Sequence, residues 1–188
     1  MKRIILLLFG LFLMLSCNEP EPRKPVARKT GSFMRESIDR NKDLLQKEET
    51  YIKSIIESDT INTYYNSSNG YWYYYNKQDT TASYMPKEDD VVLINYNIRT
   101  LNNDTIYTSE EIGNIRFKVD KEDYFPGLRT GIKLMKKGEE ITFLFPSVMG
   151  YGYHGDDQKI GTNQPLISTI RLIDIIEVAS DSLKNNKN

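Results

Sequence analysis

The sequence predicts an α+β fold in which an antiparallel sheet wraps around one short helix, with a longer helix in front of it. Three observations predict it. Aromatic and β-branched stretches recur between turn signals over residues 59–178. One short segment in their midst opens at Pro126-Gly127 and closes at Lys136-Lys137-Gly138, with helix signals at both ends. Ahead of them, residues 32–57 contain no Pro or Gly and repeat apolar residues mostly at four- and seven-residue spacings.

Along the chain, Met1-Lys2-Arg3 and the apolar run from Ile4 to Leu15 read as a secretory signal over residues 1–16, to be removed on export. At 12 residues the run is too short for a membrane-crossing helix, which takes ~20. Ser16 stands directly before the single cysteine, Cys17, and the pattern resembles the bacterial lipobox, in which that cysteine is lipidated and becomes the new N-terminus. Met14 departs from it, since lipoboxes most often carry Leu there. Residues 17–31 are then a lipidated cysteine and a disordered tether, because Asn-Glu-Pro-Glu-Pro-Arg-Lys-Pro has no apolar content to build a core.

Residues 32–58 form the N-terminal helix, with Met34, Ile38, Leu45, Ile52 and Ile56 as a stripe that Asn41 and Glu48 interrupt. Three readings stay open for it: packing on its own domain, plain solvation, or a homodimer through residues 32–57. Residues 59–180 form the main domain. Tyr64-Tyr65 and Tyr71-Trp72-Tyr73-Tyr74-Tyr75, around the Asn69-Gly70 turn, read as strand rather than as a stacking platform for sugar or nucleobase. Residues 85–90 are a turn, 91–99 a strand and 102–104 the next turn. Ile115 and Phe117 alternate with Arg116 and Lys118, the period of a half-buried strand. Pro126 begins the short helix, Leu128, Ile132 and Met135 give it an apolar face, and residues 139–145 and 166–178 are the closing strands. Residues 181–188 are a disordered tail.

Composition excludes several functions. A net charge of −1 with 27% charged residues offers no basic stripe for nucleic acid. One histidine and one cysteine leave no soft ligand set for zinc and no intramolecular disulfide. Asp89-Asp90 and Asp156-Asp157 lack the alternating ligands of a calcium loop and read as solvated turns. No metal and no cofactor are expected.

Four features in order carry a resemblance: a strand ending Asn95-Tyr96, Phe125-Pro126-Gly127-Leu128, the Lys137-Gly138-Glu139 turn, and Pro146 followed five residues on by Tyr151-Gly152. Over residues 90–176 the chain resembles the FKBP-type peptidyl-prolyl isomerases. The resemblance implies an FKBP-like fold and rotation about X-Pro bonds without nucleophile or cofactor. It implies Tyr96 on the first pocket strand, Tyr107 in place of the usual Phe, and Ile115 and Phe117 on the next strand. Tyr124 and Phe125 fill the usual Val-Ile, the second offering its backbone N–H to a ligand carbonyl. Leu128 is the pocket floor, Tyr151 the loop tyrosine whose hydroxyl bonds the substrate carbonyl, and Ile160 the loop isoleucine.

Departures accompany these matches. Thr108 stands where the family usually has a ligand-orienting Asp, Leu128 replaces a common Trp, and Ser168 falls where a pocket-closing aromatic is expected, so the apolar box is partly opened. His154 reads as rim contact or plain exposure. A non-catalytic chaperone or assembly module using the same groove is the competing class. With the lipobox and the Asp-Thr and Asp-Ser tripeptides at Asp59, Asp79, Asp104 and Asp181, which resemble an O-glycosylation motif of secreted Bacteroidetes proteins, the chain is similar to the gliding-motility-associated isomerase lipoproteins of that phylum. The expected partners are proline-containing exported polypeptides and, through the lipid anchor, a membrane. The expected place is the cell envelope, outer membrane rather than inner.

Overall fold

The structure, a computed structural model, describes residues 30–176. The predicted signal, Cys17, most of the tether and the tail lie outside the described residues. Two compact units divide the chain, residues 1–37 and 38–188, and of the first only the opening turns of the N-terminal helix are described. That helix, α1, is Thr30–Ser58, beginning two residues before the expected start. Among the described residues no helix is long and apolar enough to cross a membrane.

Eight strands form one sheet: β1 (Tyr65–Ser67), β2 (Tyr71–Lys77), β3 (Val91–Tyr96), β4 (Ile98–Thr100), β5 (Thr105–Tyr107), β6 (Ile115–Lys118), β7 (Glu140–Phe145) and β8 (Leu166–Ile176). Their order is β1-β2-β7-β8-β3-β6, with β4 on β8 and β5 on β4, and every pairing is antiparallel. The expected strand 91–99 is broken at Asn97. There the Asn97 N–H donates to the Thr169 carbonyl while its side-chain Oδ1 accepts from the Thr169 N–H. The break lets the chain leave β3 and rejoin β8 as β4, which brings β5 over the end of the sheet.

A second element absent from the sequence reading is α2 (Ser109–Ile112), four residues capped by the Thr108 hydroxyl, which accepts from the Glu111 N–H. The expected short helix is α3 (Pro126–Gly131), continued by a 3-10 turn at Ile132–Leu134. Pro126 fits the first turn because the missing N–H had no partner to lose there. Leu128, Ile132 and Met135 are fully buried beneath it against Tyr71, Phe143, Phe145 and Ile170 of the sheet.

The tyrosine-rich β2 is explained by burial on both faces. Tyr71, Tyr73 and Tyr75 join the α3 side of the sheet, whereas Trp72 and Tyr74 face the opposite cluster with Leu101, Leu144 and Ile167. Ile52 of α1 is fully buried in that second cluster, and Ile55 and Ile56 pack against it. Of the three readings of the helix, packing on its own domain therefore describes its C-terminal half. Each fully buried side chain of this size contributes about 1.5–3 kcal/mol. Ile38, near the other end, remains exposed.

Candidate functional site

At the open end of the sheet, Tyr96, Ile98, Tyr107, Ile112, Tyr151, Asp156 and Gln158 line a hollow of about 250 Å³. Its walls come from the end of β3, the start of β4, β5, α2 and the loop after β7. Three expected residues line it directly: Tyr96, Tyr107 and Tyr151. Phe125 lies just behind, its ring centroid 5.2 Å from Tyr151 and 6.3 Å from Tyr96. Tyr124 is half-buried and pairs with Phe117 at 4.6 Å. Phe117, Leu128 and Ile160 are buried in the supporting core, with Ile115 packed against it.

The departures have definite places. Thr108 is an exposed helix cap, so the hydroxyl serves α2 and not the hollow. Ser168 is 1% exposed, and its Oγ donates to the Asn97 carbonyl at 2.7 Å, which satisfies the strand break. The small side chain there holds backbone rather than opening the pocket wall. His154 is exposed, with its ring edge-on to Tyr153. Two larger hollows, about 490 Å³ each, lie along the outer side of α1, with Tyr51 the single aromatic in its lining, and beside Asn95 and Arg171, with none.

Asp156 corrects the reading of Asp156-Asp157 as a merely solvated turn. Its Oδ1 accepts from the N–H groups of Gln158, Lys159 and Ile160, and its Oδ2 accepts from the Tyr107 hydroxyl at 2.5 Å. Lys159 adds to the clamp, with Nζ 4.6 Å over the Tyr107 ring and 2.5 Å from Glu111 of α2. The loop carrying Ile160 is thus tied to β5 and α2. Gly155 closes it at φ +71, where a Cβ would lie 2.2 Å from the Ile160 carbonyl oxygen. An Asp followed by free amides two and three residues on is a turn-forming signal, and it was available in the sequence. Asp90 likewise is buried, accepting from the Lys87 N–H and the Tyr84 hydroxyl.

Burial alone would raise the Asp156 carboxyl. The Tyr107 hydroxyl and the three amides outweigh it and hold the group below the usual carboxylate range. The same bond pushes Tyr107 up to about 12. The signs follow: a depressed carboxyl contributes stability that is present above its unfolded value and lost as pH falls through the folded one. We therefore expect Asp156→Asn to lower Tm at pH 7, and the gap from wild type to close as pH falls below 3.8. A gap that persists unchanged into stronger acid would remove the clamp from this account.

Tyr96 and Tyr151 are both raised, burial being the first cause. Both stay protonated at neutral pH. The arrangement is an aromatic hollow with protonated tyrosine hydroxyls and a hydrogen-bonded carboxylate at its rim. It suits binding a small apolar ring with a carbonyl beside it.

Residues 83–173 match the family model described as FKBP-type peptidyl-prolyl cis-trans isomerase. The probable FKBP-type isomerase FkpA of Neisseria meningitidis serogroup B is 31% identical over 90 residues, covering 48% of this chain and 33% of that protein. A probable FKBP-type isomerase of Haemophilus influenzae is 30% identical over 90 residues, covering 47% and 36%. The match thus spans about a third of the length of these relatives. Among solved structures, FkpA from Escherichia coli superposes with a TM-score of 0.58 at 21% identity, covering 93% of this chain and 81% of that one. An isomerase from Pseudomonas syringae pv. tomato gives 0.54 at 19%, covering 72% and 96%. These two likenesses establish an FKBP-like fold, and residues 83–173 are in addition similar in sequence to the FKBP-type peptidyl-prolyl cis-trans isomerases.

Proposed function

We propose that the protein is a peptidyl-prolyl cis-trans isomerase, anchored in the cell envelope through lipidated Cys17, that speeds folding of exported proteins, those of a gliding-motility machinery among them. The observation that carries the reading is the grouping of Tyr96, Phe125 and Tyr151 at a hollow within the family segment. The barrier to X-Pro rotation, ~18–20 kcal/mol, is amide resonance that vanishes as the bond twists. Catalysis then means binding the twisted amide better than the planar one. Aromatic walls favour the less polar twisted form, and the Tyr151 hydroxyl can hold the carbonyl once it has turned. Uncatalysed exchange takes tens to hundreds of seconds, slow enough to limit folding of an exported chain.

Isomerisation of proline peptides by the chain beginning at residue 18 is the test, run across several residues before proline. A rate equal to the uncatalysed one sinks the reading. Tyr151→Phe should remove one hydrogen bond worth ~0.5–1.5 kcal/mol and slow turnover by about 2- to 12-fold. For the anchor, which a basic start, an apolar run and Ser16-Cys17 support, labelled palmitate is expected in the wild type and not in Cys17→Ser. Equal labelling of both would end it. A homodimer through residues 32–57 would use the side of α1 that includes exposed Ile38, since Ile52 is already buried within the chain.

The size of the hollow favours a second reading. At about 250 Å³ it is below the ~300–1,000 Å³ common for small-molecule sites, which fits a module that holds Pro-containing segments without turning them over. Binding without turnover would select it.

A further inference from the structure

Glu48 lies on α1, outside the family segment, and is 7% exposed on a helix that is otherwise mostly solvated. Its carboxylate grips one residue 99 positions away: Oε2 accepts from the Ser147 N–H and Oε1 from the Ser147 hydroxyl, both at 2.7 Å. Ser147 is fully buried and opens the 3-10 turn Ser147–Met149 between β7 and the tyrosine loop. Its carbonyl in turn accepts from the N–H groups of Gly150 at 3.0 Å and Gly152 at 2.9 Å, the residues on either side of Tyr151. The Gly152 carbonyl accepts from the Asn163 N–H at 2.8 Å, which ties the other end of the loop to the same point.

Burying a carboxylate is costly, and docking α1 does not require one. Ile52, one turn on, already supplies a fully buried apolar contact with Trp72, Leu101, Leu144 and Ile167. An apolar side chain at position 48 would have extended that contact without the desolvation penalty. What the carboxylate adds is direction, because two charge-assisted hydrogen bonds to one residue fix it in position and orientation.

We propose that Glu48 is a positioning residue for the tyrosine loop, so that the N-terminal helix completes the site of the FKBP-type domain. The inference rests on the isomerase reading for its functional consequence, though not for the mechanical one. Glu48 does not touch the hollow. It acts through Ser147 on the backbone that presents the Tyr151 hydroxyl, and loss of its grip lets the loop open locally while the sheet stays folded.

The test compares wild type, Glu48→Ala, Glu48→Gln and Ser147→Ala in the full chain. Amide exchange is read at Gly150 and Gly152 and, as internal reference, at Ile141 and Phe143. Proline isomerisation is measured in the same samples. Losing a charge-assisted bond corresponds to roughly ten-fold or more, so Glu48→Ala should speed exchange at Gly150 and Gly152 by about that factor and leave the reference amides unchanged. Its kcat should fall several-fold with little change in KM, since the twisted state needs the placed hydroxyl more than the ground state does. Glu48→Gln keeps one acceptor oxygen and should recover part of both effects. Ser147→Ala keeps the amide arm and should also fall between.

Unchanged exchange at Gly150 and Gly152 in folded Glu48→Ala overturns the proposal, and so does a uniform rise at all four amides, which would mean general destabilisation. Should Glu48→Ala not fold, Glu48→Gln and Ser147→Ala decide by the same local-against-reference comparison. A wild type without isomerase activity would end the enzyme reading, and the exchange data would still decide the coupling.

Discussion

Phe117→Ala should lower the free energy of unfolding by about 3–5 kcal/mol, the cost of truncating a large aromatic in a packed core. Phe117 is 2% exposed at the middle of β6, opposite Val92 of β3, and its ring lies 4.6 Å from that of Tyr124. β6 ends the sheet order and pairs only with β3 on that path, so side-chain burial has to supply what a second neighbour supplies elsewhere. Tyr124, next to Phe125, would lose its packing partner and with it part of the wall behind Tyr96. Against a total of about 5–15 kcal/mol the loss is large enough to leave a measurable unfolded fraction near the lower bound. Urea unfolding of both proteins reads it directly. A change under about 1 kcal/mol would mean that the site collapses around the missing ring and that Phe117 is not structural support for the wall.

What could be read from the sequence was set by how local its causes are. The short helix was legible because Pro126 and Gly138 act within a few residues of themselves, and the observed α3 begins at Pro126. Strands β2 and β8 followed from aromatic and β-branched content, and β6 and β7 from alternation of period two. The aromatic residues of the site were legible only through resemblance, since nothing in a period distinguishes a pocket tyrosine such as Tyr151 from a core one such as Tyr71. What escaped was non-local. Glu48 reads as a defect in an apolar stripe until Ser147, far along the chain, is brought beneath it. Asp156 reads as a surface charge until β5 places the Tyr107 hydroxyl against it. Thr108 and Ser168 read as losses from a pocket because the resemblance concerns ligand contacts. Their hydroxyls serve the backbone instead, at the cap of α2 and at the Asn97 carbonyl of the strand break.

Gly127→Ala should damage the site more than the fold, although helix propensity alone predicts the opposite. Replacing glycine by alanine inside a helix ordinarily gains about 1 kcal/mol. At Gly127, however, a Cβ would lie 2.6 Å from the Phe145 ring and 2.7 Å from the Met149 carbonyl oxygen. The ring cannot swing aside, because Phe145 is fully buried with Tyr71 at 5.2 Å, Phe143 at 5.3 Å and Phe125 at 5.8 Å around it. The Met149 carbonyl belongs to the turn that leads through Gly150 to Tyr151. Overpacking of this kind costs about 1–3 kcal/mol, which outweighs the propensity gain and leaves a modest net loss of stability. Relief has to come from moving α3 away from the turn or the turn away from α3. Either displaces Tyr151 relative to Phe125, and misplacement by about 1 Å can cost on the order of 100-fold in rate. Gly131→Ala is the control on the same helix. It carries the same propensity gain, and the nearest atoms its Cβ would meet are those of the Phe143 side chain, from 3.1 Å. The expected pattern is a near-neutral Gly131→Ala in both urea unfolding and kcat/KM, beside a Gly127→Ala that stays folded at 25 °C and loses about ten- to hundred-fold in kcat/KM. Equal activities for the two variants would show that the turn tolerates the shift, and that the distance between α3 and the tyrosine loop does not set the rate.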